Sequence, residues 1–210
     1  MKPLPQPPLL LITDRSQARL PSPELVAQAC AAGCRWVSLR EKDLAADTQI
    51  ALAQSLKPIA RHFGARLTLH GEAAIAEAAG LDGVHLAAGG DWARARTLLG
   101  IDALVGVSIH GAAEATKLGE SVDYAIAGPV FETASKPGYG PALGLDGLAA
   151  ICRASPVPVI VIGGIEAGVV PAIMRTGAAS IAVMGSVMRA AEPGKVIKQL
   201  LAALAAARAG

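Results

Sequence analysis

At 210 residues with a formal net charge of +2, the chain is long enough for one sizeable hydrophobic core and short for two. Lys and Arg nearly balance Asp and Glu, so we expect neither nucleic acid nor a membrane surface as a partner. Its apolar runs are shorter than the roughly 18 residues that suggest a membrane span. A Pro-rich arm over residues 1–8 does not resemble a signal peptide. Three cysteines, an odd number, are expected to stay reduced in the cytoplasm.

Short apolar runs of strand length recur along the chain: Leu9–Thr13, Trp36–Leu39, Arg66–Leu69, Gly83–Leu86, Leu104–Ile109, Tyr124–Ala127, Pro158–Ile162 and Ile181–Met184. Ala-rich segments with helical periodicity lie between them: Pro23–Ala32, Thr48–Arg61, Glu72–Ala79, Trp92–Leu98 and Ala112–Leu118. This alternation predicts βαβ units and a parallel sheet. Eight such units favour a single (β/α)8 TIM barrel over residues 1–210. The alternative is a flavodoxin-like open sheet, which usually needs only five strands.

The glycines that follow the seventh and eighth predicted strands indicate a phosphate site. Active sites of such barrels lie at the C-terminal ends of the strands, and phosphate often binds after strands seven and eight. Gly163-Gly164 and Gly185-Ser186 occupy these places, where backbone N–H groups and a helix N-terminus after Gly185 attract an anion. We therefore expect these four residues to bind phosphate, although glycines also serve simply to turn the chain.

Two cations follow the second predicted strand. Arg40 and Lys42 are two residues apart and so can point the same way. A phosphate, a pyrophosphate or a carboxylate would suit such a pair. The alternative is that both cations form salt bridges with Glu41 or Asp43.

Histidines lie at or near the ends of three predicted strands. Ser108 and His110 share a face of strand five, and His110 at the top is well suited to proton transfer near neutral pH. A structural histidine that caps the next helix is the alternative. His70 ends strand three and joins the candidate set, whereas His85 within strand four is expected to be a packing residue.

The segment over residues 128–140 is the longest predicted loop. Loops of this length on a compact barrel are usually lids or binding loops. Thr133, Ser135 and Lys136 offer two hydroxyls and a cation for phosphate oxygens, and Glu132 precedes them. A solvated loop without a binding role is the alternative.

Six motifs follow one another along the chain: Leu11-Ile12-Thr13-Asp14, Leu39-Arg40-Glu41-Lys42, Gly83-Val84-His85-Leu86, Gly106-Val107-Ser108-Ile109-His110, Gly128-Pro129-Val130-Phe131 with Thr133, Ser135 and Lys136, and Ile162-Gly163-Gly164-Ile165. Together they resemble the thiamine phosphate synthase and TenI superfamily, from about residue 9 to about residue 190. The resemblance implies a (β/α)8 barrel, often a homodimer, that binds a thiazole phosphate. In the synthase branch, the counterparts of Arg40, Lys42, Thr133, Ser135 and Lys136 grip pyrophosphate.

The chain departs from the synthase branch at the magnesium ligands that the resemblance implies. The synthase holds magnesium with an Asp of an Asn-Asp pair after strand three and another Asp after strand four. Here the first pair is His70-Gly71 and the second position is Gly90, so Asp91 fits only after a one-residue shift. Magnesium needs hard oxygen ligands of this kind.

The TenI branch lacks these carboxylates and shares Phe131-Glu132-Thr133, Ala182-Val183-Met184 and Ala191-Glu192-Pro193 with this sequence. The resemblance therefore predicts a TenI-like thiazole tautomerase that needs no metal or cofactor. His110 would carry the proton, the glycine loops would hold phosphate, and Lys136 or Arg40 the carboxylate. One alternative is a thiamine phosphate synthase, which would require magnesium. The other is a non-catalytic, phosphate-binding regulatory barrel.

Overall fold

The computed structural model describes residues 2–133 and 141–209 and shows a closed barrel of eight parallel strands. Each strand pairs with its neighbours in chain order, and the last pairs with the first. The (β/α)8 prediction is confirmed, with every strand within one residue of its predicted bounds. The strands are β1 Leu9–Ile12, β2 Trp36–Leu39, β3 Arg66–His70, β4 Gly83–Leu86, β5 Leu104–Ile109, β6 Tyr124–Ala127, β7 Val159–Ile162 and β8 Ser180–Val183.

The helices surround the barrel. Helix α5 ends at Ala115, so its prediction as far as Leu118 was too long; Thr116, a weaker helix former, caps it. The helices are α1 Ser22–Ala31, α2 Ala46–His62, α3 Ala73–Ala78, α4 Trp92–Leu99, α5 Ala112–Ala115, α6 Gly144–Ala154, α7 Val170–Met174, α8 Gly185–Met188 and α9 Pro193–Ala209, with a 3-10 turn at Ala167–Val169. Among the described residues, none of the helices has the length and apolarity to cross a bilayer.

Alternate residues of each strand face two different cores. One set packs against the helices, while the other fills the barrel with a smaller cluster. Trp36 and Tyr124, at the N-terminal ends of their strands, meet edge to face inside it with ring centroids 4.8 Å apart. The Pro-rich arm lies against the same end, because Leu4 packs on the inner cluster and Lys2 Nζ donates to the Ala103 carbonyl at 2.8 Å.

The inward-facing set continues beyond the cluster toward the C-terminal ends of the strands. Period-two alternation places Arg40 in phase with Trp36, and His70 in phase with buried Thr68. Ser108 and His110 follow inward-facing Leu104 in the same way. The barrel thus directs one set of polar side chains to its C-terminal mouth.

Candidate active site

A cavity of about 590 Å³ opens at the C-terminal ends of the strands. It brings together every predicted site residue that the structure describes. Ser135 and Lys136 lie outside the described residues, so their predicted contacts stay predictions. The predicted residues that line the cavity are Arg40, Lys42, His70, Ser108, His110, Glu132, Thr133, Gly163, Gly164, Gly185 and Ser186.

Arg15 engages the two carboxylates that were the alternative partners of Arg40 and Lys42. Its guanidinium lies 3.8 Å from Glu41 Oε2 and contacts Asp43. Glu41 is buried and also accepts hydrogen bonds from the Thr13 hydroxyl at 2.8 Å and from the Arg15 backbone. Both carboxylates are therefore held by Arg15, and Arg40 and Lys42 line the cavity.

Asp14, which follows β1, is the carboxylate nearest to Arg40. Its Oδ2 lies 3.8 Å from Arg40 Nη1, and it accepts hydrogen bonds of 2.6 Å from Ser16 Oγ and Gln17 Nε2. Burial alone would raise the pKa of Asp14, but these hydrogen bonds and Arg40 outweigh burial and lower it. Asp14 is thus a stable anion that can hold the Arg40 guanidinium at the mouth.

Lys42 has a lowered pKa, chiefly because it is partly buried and secondly because Arg40 is close; Glu72 opposes the shift. Two neighbouring cations repel each other, and the loss of water adds to the cost of their charges. An anion that binds between them relieves both effects. The pair therefore favours a multiply charged ligand such as a phosphate or pyrophosphate.

The Ser108 hydroxyl is held by His85, which is more than a packing residue. His85 is fully buried, and its Nε2 lies 2.9 Å from Ser108 Oγ in a hydrogen bond. Its ring stacks on Tyr124 and lies 4.5 Å from the His70 ring, centroid to centroid. Burial, and secondly Lys42, lower the pKa of His85 to about 3, so its ring is neutral at physiological pH. Only its phase with the other inward-facing residues could have indicated this role in the sequence.

His110 stands at the edge of the cavity beside the start of α5. Its side chain is 41% exposed, and Nδ1 lies 3.5 Å from Glu114 Oε2. The same carboxylate accepts a 2.9 Å hydrogen bond from the His110 backbone N–H. Glu114 therefore orients this residue, and the imidazole remains on the cavity wall, where a substrate can reach it.

The glycines after β7 are also required for steric reasons, because neighbouring residues leave no space for a side chain. Gly164 has φ +66°, and a Cβ there would lie 2.7 Å from Phe131 Cβ. This close approach packs the loop after β6 against the loop after β7. Helix α8 after Gly185 is a single turn of four residues, so its dipole adds less than the sequence suggested. Phosphate binding by these loops stays a prediction.

Sequence reasoning did not identify Arg189 and Glu166, which also line the cavity. Arg189 contacts the Gln17 side chain, and Gln17 in turn donates to Asp14. A line of polar contacts thus joins the end of α8 to Arg40. The sequence could have indicated Arg189 as a site residue, because it is a basic residue one helical turn after Gly185.

The described residues do not fit the magnesium site that the resemblance implies. Among residues 2–133 and 141–209, no group of three or more His, Cys, Asp or Glu side chains is placed to hold a metal ion. Asp91, the one candidate substitute, is exposed and accepts a hydrogen bond from the Arg94 backbone at 2.9 Å as the N-cap of α4. Its carboxylate is therefore engaged in stabilising the helix.

This geometry defines a (β/α)8 barrel with a cavity at the C-terminal ends of its strands, lined by Arg40, Lys42 and the glycines after β7 and β8. The sequence model of the family described as thiamine monophosphate synthase matches residues 9–187, and the chain belongs to that family of thiamine-biosynthesis enzymes. A putative thiamine-phosphate synthase of Geobacter sulfurreducens is 41% identical over 199 residues, 93% of each chain. A thiamine-phosphate synthase of Roseiflexus sp. is 34% identical over 202 residues, which cover 94% of this chain and 85% of the relative.

A solved structure supports the same assignment of the fold and family. The thiamine phosphate pyrophosphorylase of Pyrococcus furiosus matches with a TM-score of 0.84 and 27% identity. The match covers 95% of this chain and 96% of the other.

The expectation of a TenI-like thiazole tautomerase is therefore wrong. Relatives that are 34% and 41% identical over nearly the whole chain carry the name of the synthase. The expectation gave decisive weight to missing carboxylates in two loops. Those two segments contribute His70, Ala87 and Ala88 to the cavity, whereas the other predicted site residues that the structure describes lie at the ends of β2, β5, β6, β7 and β8 or in the loops after them.

Proposed function

We propose that this protein is a thiamine phosphate synthase, a transferase that couples hydroxymethylpyrimidine pyrophosphate to thiazole phosphate. The observation that carries the proposal is that the cations after β2 and the glycine-rich loops after β7 and β8 line the same cavity. A reaction between two anionic substrates needs two anion sites that open into one space. Family membership and the names of the relatives support the same reaction.

The two anion sites are assigned to different strands. The pyrophosphate of the pyrimidine substrate is expected to bind Arg40 and Lys42, with Thr133, Ser135 and Lys136 of the loop after β6. The phosphate of the thiazole substrate is expected at the loops after β7 and β8. Those loops contribute Gly163, Gly164, Gly185 and Ser186.

The coupling forms a C–N bond between the thiazole nitrogen and the exocyclic methylene carbon of the pyrimidine. The C–O bond to pyrophosphate breaks, and pyrophosphate leaves with the electron pair. Cations fixed beside the leaving group stabilise the charge that develops on it. Because the attacking nitrogen carries no proton, no general base is needed. His110, Ser108 and His70 are thus proposed to contact the substrates rather than to move protons, and Glu132 stays a substrate-binding prediction.

The test is a coupling assay with purified protein, in which thiamine phosphate is measured by chromatography. Lys42→Met should lower kcat/KM about 10- to 100-fold, the value of one hydrogen bond to a charged group. Lys198→Met removes the same charge from the exposed face of α9 and should leave kcat/KM unchanged. Equal activities of the two variants would contradict the assignment of Lys42, and no product from the wild type would contradict the proposed reaction.

The proposal also includes expectations about cellular location and oligomeric state. The cytoplasm is the expected location, since Cys30, Cys34 and Cys152 are all free thiols. A homodimer stays a prediction of the family resemblance, to be measured by light scattering.

A further inference from the structure

The segments at the ends of β3 and β4 are residues 70–72 and 87–91, and His70, Ala87 and Ala88 of these segments line the cavity. The family resemblance implies that these loops carry the magnesium carboxylates in the synthase branch. Here they carry His70, Gly71 and Gly90. The backbone shows that the difference extends beyond individual side chains.

Gly90 leaves no room for a carboxylate on this backbone. A Cβ at this position would lie 2.8 Å from Leu86 Cβ, closer than real Cβ atoms come to a neighbour, and 3.0 Å from the Ala87 carbonyl oxygen, which is also a tight contact. Gly89 beside it has φ +73°, a conformation that L residues rarely adopt. The loop after β4 therefore follows a path on which Asp at position 90 would require the chain to move.

Gly71 is different, because its surroundings would accept a side chain. The nearest atom to a Cβ there is Leu69 Cδ2 at 3.5 Å, an ordinary van der Waals contact. An Asp side chain would therefore fit at position 71, but the sequence has Gly there. Glu72 is the neighbouring carboxylate; it is exposed, and its electrostatic effect falls on Lys42.

Side chains, rather than a magnesium ion, supply the positive charge that a bound anion requires. Arg40 is held beside Asp14, and Lys42 lies next to Arg40 on the same side of the cavity. Arg189 faces the cavity from the end of α8. Fixed cations of this kind neutralise an anion without a metal ion as intermediary.

From this we infer that the protein binds and releases pyrophosphate through Arg40 and Lys42 without a divalent cation, because the carboxylates of residues 2–133 and 141–209 are not grouped to hold one. The inference rests on the proposed function, since it concerns the leaving group of that reaction. In the coupling step the C–O bond breaks and the C–N bond forms, while the charge that collects on pyrophosphate is met by Arg40 and Lys42. No oxidant, reductant or further reactant is required.

Isothermal titration calorimetry with inorganic pyrophosphate tests the inference, first in EDTA and then in excess magnesium chloride. The wild type should bind in both buffers, with dissociation constants that agree within about threefold, because two fixed cations supply the charge. Lys42→Met should weaken binding about tenfold or more in both buffers. Binding that is absent in EDTA and restored by magnesium would overturn the inference.

Gly71→Asp is the matched variant, because the site has space for the side chain. A carboxylate added between His70, which lines the cavity, and Glu72, which acts on Lys42, should weaken binding in EDTA by repulsion, and magnesium should then recover part of the loss. This variant shows that the assay can detect a metal contribution. An equal gain from magnesium in the wild type would mean that the metal enters with the anion, which would overturn the inference.

The coupling assay, run in the same two buffers, separates this inference from the proposed function. Turnover in EDTA supports both. Turnover and pyrophosphate binding that both require magnesium would leave the synthase assignment intact and overturn the inference. No turnover in either buffer, with pyrophosphate binding preserved in EDTA, would overturn the proposed function and still support the metal-free anion site.

Discussion

Protonation of His85 should make the barrel lose stability in mild acid. The ring is fully buried, and its pKa is lowered to about 3, whereas a histidine in the unfolded chain titrates near pH 6.5. A lowered folded pKa means that the unfolded chain binds the extra proton first. The stabilising contribution is therefore complete above about pH 6.5 and is lost as the pH falls toward about 3. Between pH 7 and pH 5 the loss is about 2 kcal/mol of unfolding free energy.

Urea denaturation at pH 7 and pH 5 measures this loss in the wild type and in His85→Gln. The glutamine keeps an amide that can bond Ser108 but does not titrate, so its loss should be smaller by about 2 kcal/mol. His62→Gln replaces an exposed histidine at the end of α2 and should behave like the wild type. If the His85 variant and the wild type lose the same free energy within about 0.5 kcal/mol, His85 is not the buried neutral group described here.

Three further predictions concern the site. Asp14→Asn should raise the KM for pyrimidine pyrophosphate about tenfold in steady-state kinetics because Arg40 loses its orienting carboxylate, and an unchanged KM would show that Arg40 is held by other contacts. Gly164→Ala should destabilise the fold by about 1–3 kcal/mol in urea, since φ is +66° and the new Cβ meets Phe131; a fully stable variant would contradict this packing. His110→Gln should keep kcat for coupling within about tenfold, whereas a fall of a hundredfold or more would show that His110 transfers a proton.

The barrel and the membership of its cavity could be read from the sequence because they depend on local patterns. Short β-branched runs and the helices between them specify the strands, and closure then brings the ends of all eight strands to one mouth. The alternation of side chains along each strand was enough to predict that Arg40, His70 and Ser108 lie at this mouth, and no knowledge of side-chain contacts was needed.

Contacts between distant segments could not be predicted in this way. Arg15 after β1 holds Glu41 and Asp43 after β2, and His85 of β4 bonds Ser108 of the neighbouring β5. Both depend on where side chains meet after the barrel closes. The sequence was least informative about which of the two reactions, tautomerisation or coupling, the protein catalyses. The missing carboxylates indicate that a magnesium site is absent from the loops after β3 and β4, but they do not indicate which bond the enzyme makes.

The stoichiometry of products from one coupling reaction decides whether this protein is a thiamine phosphate synthase. Purified protein is incubated with hydroxymethylpyrimidine pyrophosphate and thiazole phosphate, and thiamine phosphate and pyrophosphate are quantified together. We expect equal amounts of the two products, formed in proportion to enzyme and reduced in Lys42→Met. Thiazole phosphate recovered unchanged, with no thiamine phosphate formed in either EDTA or magnesium buffer, would contradict it.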